Sequence, residues 1–483
     1  MTHITIKPAD KNLGTVVLTT DYYNALCLKL LSDETTYVIP SNFYPSVIYA
    51  RLRHLLTYHE INKDSRLAKS LLQLEKSDKV ALARFYCLIK MHKKNQPISG
   101  RPIVSSINTP TYHASVYLHN VFFPILKLIT HICHSSASVL RDLSSLQLDP
   151  TKSYKIGCAD VKSLYPSIPT DYGLHAMKIM VDRYKNLYPL KNFNRQDLEF
   201  LLALLEWVLK NNYFTFNNTT YHQISGTAMG TPVAVVYANL VLFHLEESLI
   251  ESEHPIFYRR YIDDLFIIAE EETITRFFQR FSAVHPSIKL ESITIGQSGI
   301  FLDLELSLQQ VKSNDGDNII TSYRVDHKIY QKEINRYLYI TPFSNHTRSN
   351  LRNIISNEIR RYRMMCVHDL DYFNIVGQFF QRLQARGFSD SFLLPLFHPK
   401  VFQLVQNDLL NPSKNVESPT STKAKPIITL KISTNTLQSR LKSLLSFPSI
   451  ITDHPEYKSV FGNNNTVLGR KHGKNVVKYF LHK

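Results

Sequence analysis

The sequence predicts an α+β fold in which strand hairpins precede a helical region, and three observations indicate it. Two short apolar runs meet at a tight acidic turn in FYRRYIDDLFIIA, which is the pattern of a β-hairpin. Alternating runs follow between residues 285 and 340, and they favour further strands of the same sheet. Beyond Pro342 the apolar spacing becomes helical, through LRNIISNEIRRYRMM to FFQRLQARGF.

The turn of the hairpin carries two adjacent carboxylates, Asp263 and Asp264, directly after Tyr261 and Ile262. Two carboxylates held close together repel each other and lose solvation, so a divalent cation is their natural partner. An Asp-Asp pair is also common in a solvated turn. The pair therefore suggests a metal site without establishing one.

A third aspartate follows an apolar strand upstream. Lys155 to Ala159 predicts a buried strand ending at Asp160, and two prolines then break regular structure. A carboxylate there needs a cation or a donor, unless it merely caps the next turn. If this strand lies beside the hairpin, Asp160, Asp263 and Asp264 form one set of oxygen ligands. Such a set suits two Mg²⁺ ions about 4 Å apart, as used for in-line phosphoryl transfer.

Composition narrows the class of partner. The 483 residues suffice for several subdomains, and 56 Lys plus Arg against 40 Asp plus Glu give a formal charge of +16. This balance favours nucleic acid over a membrane surface. Five cysteines without CxxC spacing indicate reduced, buried thiols of an intracellular protein and no zinc site. No signal peptide is visible, and the longest apolar stretch, residues 116–132, predicts a core helix.

Two helices are predicted between the acidic elements. Arg195 to Asn211 has an apolar stripe behind an asparagine N-cap, which is typical of a packing helix. In QISGTAMGTPVAVVYANLVLFHLEE, Gly226 and Gly230 would let the backbone approach a ligand. Pro232 then opens a helix that runs to about Glu247.

Basic residues occur at two further places. Lys90 and Arg101 flank the turn of a predicted hairpin, where they could bind a triphosphate or form a solvated surface. The helical region after Pro342 could track a phosphate backbone, or its charged face could simply be solvated. Its arginines are Arg348, Arg352, Arg360, Arg361 and Arg363.

Taken in order, these elements resemble a reverse transcriptase. The acidic strand, the glycine loop from Gln223 and the YIDD hairpin are similar to motifs A, B and C of the palm. The flanks resemble the reverse transcriptases of Penelope-like retroelements, in KPADKNLGTVVL, FYCLIKMHKK with RPIVSS, FLDLEL, YLYITPFSNH and KNVVKYFLHK. The resemblance covers nearly the whole chain, and it implies a right-hand polymerase with an antiparallel-sheet palm, fingers and a helical thumb.

The resemblance also implies a division into domains. Residues 1–150 would form the fingers with part of the palm, residues 151–340 the palm with motifs A to D, and residues 341–406 the helical thumb. Residues 407–426, rich in Ser, Thr, Pro, Asn and Lys, predict a flexible linker before a small C-terminal region, 427–483.

Roles for single residues follow from the same resemblance. Asp160 and Asp263 would bind both metal ions, and Asp264 would complete the site. Tyr165 stands where reverse transcriptases carry an aromatic steric gate against the ribose 2′-hydroxyl, although it could also be a core tyrosine. Lys332 matches a lysine that could protonate the leaving pyrophosphate. The residues implied to contact nucleotide or template are Lys90, Arg101, Tyr165, Gln223 and Gly230.

The sequence departs from this family in two respects. Motif A reads DVKSLYPSIP, whereas Penelope-like enzymes more often have Phe and Asn before the Ile-Pro pair. B-family DNA polymerases share this string, but the YGDTDS hairpin and lysine-rich fingers helix they need are missing from the sequence. The sequence also ends without a GIY-YIG endonuclease, which indicates an endonuclease-deficient type or a truncated copy.

The implied reaction is addition of deoxynucleotides to a primer 3′-hydroxyl. We expect Mg²⁺, with Mn²⁺ as a substitute, and an RNA template, a DNA primer, their hybrid and dNTPs as partners, with no membrane and a nuclear location. An RNA-dependent RNA polymerase would more often carry an acid in place of Tyr165. A decayed or domesticated copy that only binds nucleic acid would have the same charge, but its catalytic aspartates would drift, and here all three are present.

Overall fold

A computed structural model of the chain describes residues 3–41, 43–75, 81–91, 98–315, 318–332, 335–398, 427–430 and 467–470. The chain divides into two compact units, Met1–Arg336 and Tyr337–Lys483. The predicted linker, residues 407–426, and most of the predicted C-terminal region lie outside the described residues. The division into fingers, palm and thumb stays a prediction.

Strands and helices alternate irregularly along the chain, as the α+β prediction requires. The strands are β1 (Ile4–Pro8), β2 (Thr15–Thr19), β3 (Tyr37–Val38), β4 (Ala83–Lys90), β5 (Ser99–Ser105), β6 (Lys155–Val161), β7 (Tyr213–Phe216), β8 (Thr219–Gln223), β9 (Phe257–Tyr261), β10 (Asp264–Ala269), β11 (Leu290–Gly296), β12 (Ser298–Phe301), β13 (Leu304–Asp315), β14 (Asn318–Ile329), β15 (Ile427–Leu430) and β16 (Val467–Arg470). The helices are α1 (Thr20–Leu31), α2 (Ser46–Tyr58), α3 (Arg66–Leu71), α4 (Tyr112–Leu126), α5 (Ser136–Ser144), α6 (Leu164–Ser167), α7 (Thr170–Tyr184), α8 (Arg195–Lys210), α9 (Ala234–Glu253), α10 (Glu271–Val284), α11 (Arg348–Met365), α12 (Asp369–Ala385) and α13 (Asp390–Leu393). The described part of the chain contains no helix long and apolar enough to cross a membrane.

The central sheet of the first unit is antiparallel, with strand order β11-β6-β10-β9. The predicted YIDD hairpin is confirmed: β9 and β10 pair from Tyr261 opposite Asp264 back to Phe257 opposite Ile268. The predicted acidic strand is β6, which pairs with β10 along its length. The sheet therefore brings together two segments that lie about a hundred residues apart in the sequence.

Helices cover one face of this sheet. Side chains that alternate along β6 and β10, such as Ala159, Leu265 and Ile267, are buried in one cluster with α4, α7, α8, α9 and α10. The other face carries Phe266, whose ring stacks on Phe301 of β12 at 5.2 Å between centroids. Because side chains alternate along a strand, Asp160 and Asp264 lie on this second face.

The strand predictions after residue 285 are right for β11 and wrong in two respects. β12, β13 and β14 form a separate three-stranded sheet and do not extend the central one. The stretch 330–340, predicted as a strand, has none in its described residues. Tyr337 adopts a left-handed conformation with φ 47°, and the Tyr339 amide donates back to the Tyr337 carbonyl at 2.7 Å, so the backbone there turns sharply.

The predicted helices differ from the structure mainly at their ends. α8 begins behind Asn194, which forms a capping box with Asp197, as the N-cap prediction requires. The core helix predicted over residues 116–132 is α4, four residues earlier at its start and six shorter at its end. α9 continues to Glu253, six residues beyond its predicted end near Glu247. It is buried on most of its circumference, so packing rather than an amphipathic stripe sets its length.

A third sheet lies in the first unit, with order β3-β8-β7-β4-β5. The predicted Lys90/Arg101 hairpin is confirmed as β4 and β5, in which Lys90 pairs with Ser99 and Arg101 with Leu88. All five cysteines of the chain are buried and free of disulfides, as predicted.

The second unit contains the predicted helical region. The apolar stripe of α11, which includes Leu351, Ile355 and Ile359, is buried, and α11 packs against α12. Several of its arginines are engaged locally: Arg361 with Glu358 at 2.6 Å, and Arg363 with Asp369 at 2.7 Å. The idea that this face tracks a phosphate backbone stays a prediction.

A fully buried ion pair joins the central sheet to α9. The Nε of Arg260, on β9, donates to Glu246 at 2.7 Å, and both side chains are inaccessible to solvent. Arg260 Nη1 donates to the side chain of Asn239 and to the carbonyl of Ile262, and Nη2 donates to the Asn239 carbonyl. Tyr258 donates its hydroxyl to Glu246 at 2.9 Å. Each buried charge is thus compensated by several hydrogen bonds.

We predict that Arg260→Met lowers the free energy of unfolding by about 3–5 kcal/mol, because it leaves Glu246 as an unpaired buried charge. The double variant Arg260→Met with Glu246→Leu should lose less than the two single losses combined. Denaturant unfolding followed by circular dichroism measures both. The matched control is Arg195→Met, which breaks an exposed pair with Glu199 and should cost at most about 1 kcal/mol. A loss no larger than the control's would contradict this account of the pair.

Candidate active site

Strand register places two of the three predicted aspartates side by side. Asp160, near the end of β6, lies directly opposite Asp264, the first residue of β10, and their side chains are hydrogen-bonded. Glu291 of β11 lies opposite Asp160 on its other side. Like charges opposite each other on adjacent strands destabilise a sheet, so this row of acids is maintained against repulsion.

The electrostatics of the two hairpin carboxylates reflect this crowding. Burial, the hydrogen bond that its protonated carboxyl donates to Asp160, and the charges of Asp160 and Asp263 raise the pKa of Asp264 to about 8. Burial also raises the pKa of Asp263, and the charge of Asp160 adds to this effect. A carboxyl group with such a pKa holds a proton at neutral pH unless a cation replaces it.

The turn between β9 and β10, which contains Ile262 and Asp263, is strained, and hydrogen bonds hold it in place. Ile262 occupies the left-handed region at φ 57°, where a β-branched residue is rarely found. Arg260 Nη1 donates to the Ile262 carbonyl at 2.9 Å, and the Val161 amide donates to the Asp263 carbonyl at 2.8 Å. The buried guanidinium therefore fixes the backbone that presents Asp263.

A cavity of about 460 Å³ opens beside Asp160 and Asp264, on the face of the central sheet next to β12. Two lysines from distant parts of the sequence line it, Lys11 and the predicted Lys332, together with Glu305. Burial and the charge of Lys332 lower the pKa of Lys11. The structure thus places Lys332 and Lys11 in one cavity with the two carboxylates, and Lys11 is not among the site residues predicted from the sequence.

Arg101 reaches the site from β5. Its guanidinium lies 3.3 Å from the carboxylate of Asp10, a residue only 6% exposed. Its charge acts on Asp263 and on Tyr165. Asp10 and Lys11 belong to the KPADKN segment, which is one of the segments that carry the family resemblance. That resemblance was the sequence signal that could have identified both residues.

Tyr165 lies in α6, immediately after the acidic strand. Burial and then the charge of Asp263 raise the pKa of its hydroxyl to about 12. The carbonyl of Tyr165 accepts a hydrogen bond from the Thr227 amide at 2.9 Å. A Cβ on Gly226, which has φ 72°, would lie 2.4 Å from that carbonyl, so only glycine allows the loop to pack this closely.

The remaining predicted residues of the glycine loop have internal contacts. Gln223 is 3% exposed, and its side-chain amide donates to the Ser225 carbonyl at 2.9 Å. Gly230, at φ 120°, leaves no room for a side chain, because a Cβ would lie 2.4 Å from the Val104 carbonyl. The structure thus shows how these two residues shape the loop, and their contacts with nucleotide and template stay predictions.

Lys90, predicted to bind the triphosphate, is the last residue of β4. It lies at the far end of β4, next to residues 92–97, which the structure does not describe. It is not among the described residues that line the cavity. Its contact with a triphosphate stays a prediction.

The acidic site fits a cation in part. Asp160 and Asp264 lie opposite each other and offer adjacent oxygen donors to one cavity, which is the chemistry that a hard divalent cation prefers. In the part of the chain that the structure describes, no three His, Cys, Asp or Glu side chains converge as ligands of one ion. The Asp160–Asp264 pair therefore offers oxygen ligands that fit a divalent ion.

Comparisons with solved structures show the class of fold. The chain is similar to telomerase from Candida albicans in complex with a TWJ fragment of telomeric RNA, with a TM-score of 0.52 and 11% identity over 95% of this chain and 73% of that chain. It also matches apo telomerase from Candida tropicalis, with a TM-score of 0.46 and 8% identity over 83% of this chain and 70% of that chain. No protein-family model and no curated protein matches the sequence.

The protein has the right-hand polymerase fold, an α+β architecture with antiparallel sheets. Its structural neighbours are telomerase reverse transcriptases, and the predicted fold class is confirmed.

We predict that divalent cations stabilise the protein more at pH 8.5 than at pH 6. The pKa of Asp264, about 8, lies above that of an unfolded aspartate, so the folded state binds the extra proton. Without metal, this group's contribution to stability is present at low pH and is lost as pH rises from about 4 to 8. A cation must displace that proton, so its apparent affinity should fall about tenfold per pH unit below pH 8.

The measurement is the shift in melting temperature caused by Mg²⁺ and Mn²⁺ across this pH range. Asp264→Asn should abolish most of the shift and flatten the metal-free pH dependence. The control Asp64→Asn alters a side chain that is 88% exposed and should behave as the wild type. Equal cation-induced shifts at both pH values would rule out a cation site at this pair.

Proposed function

We propose that the protein is an RNA-directed DNA polymerase, a reverse transcriptase that adds deoxynucleotides to a primer 3′-hydroxyl, of the kind encoded by Penelope-like retroelements. The observation that carries the proposal is the register of β6 and β10, which sets Asp160 opposite Asp264 next to the Asp263 turn. The right-hand polymerase fold and the charge of +16 support it. The telomerase that the chain is similar to was solved with RNA, which supports an RNA partner.

Asp160, Asp263 and Asp264 would hold two Mg²⁺ ions, which when bound supply positive charge to the primer hydroxyl, the triphosphate and the leaving pyrophosphate. The chain's own contribution is to position the reactants and to complement their charge. The hydrogen bond from Arg260 to the Ile262 carbonyl holds the backbone turn that carries Asp263. Arg101 and Lys90 would bind the triphosphate, and Gln223 and Gly230 would shape the loop against nucleotide and template.

Lys332 would supply a proton to the departing pyrophosphate. Its ammonium lines the same cavity as Asp160 and Asp264, within reach of a phosphate held there. An ammonium group at this place can donate a proton as negative charge develops on the leaving oxygen. In the proposed reaction the primer 3′-hydroxyl loses its proton to water and its oxygen bonds to the α-phosphorus. The bond between the α-phosphorus and the α–β bridging oxygen breaks, and the departing pyrophosphate takes a proton from Lys332.

Tyr165 would select deoxynucleotides. Its half-buried ring follows the acidic strand directly, and its hydroxyl senses the charge of Asp263. In a polymerase active site, the Tyr165 ring would occupy the space that the 2′-hydroxyl of an incoming ribonucleotide needs. The proposed partners are therefore an RNA template, a DNA primer, their hybrid and dNTPs, in a nuclear location.

A second candidate is a relic of such an element that binds nucleic acid without catalysis. The observation in its favour is that no ready three-ligand metal centre is found among the described residues. Against it stand the three aspartates and the lysine-lined cavity beside them. The two candidates differ in whether the protein catalyses nucleotide addition, whereas the net charge is the same under both.

We predict that the purified chain extends a DNA primer on an RNA template with dNTPs in Mg²⁺ or Mn²⁺. Asp263→Asn should lower the rate by at least about a thousandfold, because the developing charge loses its main complement. Asp64→Asn is the matched surface control and should retain full activity. Tight hybrid binding without extension in any metal would favour the relic.

We also predict that Tyr165→Ala admits ribonucleotides. Removing the ring opens space at the sugar, so the preference for dNTPs over rNTPs should fall by at least about tenfold, as expected when a steric barrier to a hydroxyl is removed. Tyr44→Ala, at a tyrosine 68% exposed, is the control. An unchanged preference in Tyr165→Ala would show that Tyr165 is a packing residue, and ribonucleotide use by the wild type would indicate an RNA polymerase.

A further inference from the structure

The turn between the first two strands projects toward the acidic site. β1 and β2 pair as an antiparallel hairpin, and the 3₁₀ turn Asp10–Asn12 lies between them. The base of the turn is fixed: the Ala9 amide donates to the Gly14 carbonyl at 2.8 Å, and Ala9 bridges Ile89 of β4. The turn is therefore held against the sheet that carries Arg101.

Lys11 is presented into the cavity by an unusual backbone. Its φ of 60° lies in the left-handed region, and its side chain lines the cavity with Asp160, Asp264 and Lys332. This backbone conformation does not stabilise the protein by itself, because the left-handed region costs a non-glycine residue about 1 kcal/mol or more. Such strain is found where a side chain has a function to perform.

The neighbouring residue, Asp10, acts on Arg101. It is 6% exposed and forms the ion pair at 3.3 Å with the Arg101 guanidinium. Within the described residues, Nε of Arg101 is buried and has no hydrogen-bond partner. A buried guanidinium N–H without an acceptor is energetically costly. A ligand could supply the acceptor that this donor lacks.

The charges around the cavity specify the ligand. Two ammonium groups, Lys11 and Lys332, line one space together with Asp160, Asp264 and Glu305, and the two ammonium groups repel each other. The same space is lined by Asp160 and Asp264, whose carboxylates lie opposite each other on β6 and β10 and would hold the divalent cation of the proposed function. Phosphate groups of a metal-bound triphosphate or of pyrophosphate meet both demands, because their oxygens accept from ammonium and guanidinium and also bind the cation.

We propose that the Asp10–Lys11 turn is part of the nucleotide site: Lys11 binds the β- and γ-phosphates of the incoming nucleotide and the leaving pyrophosphate, and Asp10 is a positioning residue for Arg101. The proposal rests on the proposed polymerase function, but its first test does not. It adds an N-terminal phosphate ligand to Arg101 and Lys332.

The first test measures binding of inorganic pyrophosphate with Mg²⁺ to the full chain by titration calorimetry, without turnover. Lys11→Ala should weaken binding by about tenfold or more, as expected for a lost charge-assisted contact. Lys11→Gly removes the same ammonium and suits φ 60°, so it separates lost binding from misfolding. Lys11→Arg should restore most of the affinity. Lys29→Ala removes an exposed lysine at the end of α1, outside the cavity, and should leave binding unchanged.

The second test is kinetic. Lys11→Ala should raise the KM for dNTP and weaken inhibition by pyrophosphate by about tenfold, with little change in kcat, because the contact is made in both ground and transition state. Asp10→Asn should also raise the KM, but not in an Arg101→Ala background, since a positioning residue acts through its partner. A merely structural Asp10 would show the same effect in both backgrounds.

The outcomes separate this inference from the proposed function. If the wild type extends primers and the Lys11 variants match Lys29→Ala in pyrophosphate binding and KM, the inference is wrong and the polymerase stands. If the wild type does not extend primers but binds pyrophosphate through Lys11, the phosphate site stands and the polymerase fails. Loss of hybrid binding in Lys11→Ala with unchanged pyrophosphate binding would overturn the inference in favour of a backbone-phosphate contact.

Discussion

The buried guanidinium of Arg260 is the interaction on which the rest of the site depends. It lies on β9, pairs with Glu246 on α9 and donates to the carbonyl of Ile262 in the turn between β9 and β10. Because a charge without solvent needs several partners, its position leaves little freedom to the elements that surround it. One side chain thus ties the main core helix to the strained turn that presents Asp263. The stability of the fold and the geometry of the site are therefore not separable here.

The site itself is built from like charges held together. The pairing of β6 and β10 forces Asp160 against Asp264, and the cavity beside them brings Lys11 toward Lys332. Ionised, the members of each pair would repel each other, and the hydrogen bond between Asp264 and Asp160 and the charge of Asp160 beside Lys11 lessen that repulsion. Under the proposed function, divalent cations and phosphate groups that enter together would compensate both pairs. This mutual dependence is the physical argument that connects the acidic pair with a nucleotide substrate.

Local sequence signals predicted the elements that depend on local physics. The YIDD hairpin, the acidic strand and the capping box at Asn194 have the predicted form, because turn, burial pattern and cap are each set by a few neighbouring residues. Predictions failed where packing decides. α9 is longer than predicted because its surroundings are apolar on most sides, and β12 to β14 form their own sheet, with Phe301 stacked on Phe266.

The sequence by itself determined which carboxylates the protein offers and at which strand ends they lie, because the alternation of apolar residues fixes a strand and its terminus. Only the tertiary structure decided what those carboxylates meet. Lys11 and Asp10 precede Asp160 by about 150 residues, and no periodicity links them. Their meeting depends on how the N-terminal hairpin docks on the β4–β5 sheet. Such long-range packing leaves no trace in a local pattern, so this half of the site became visible only in three dimensions.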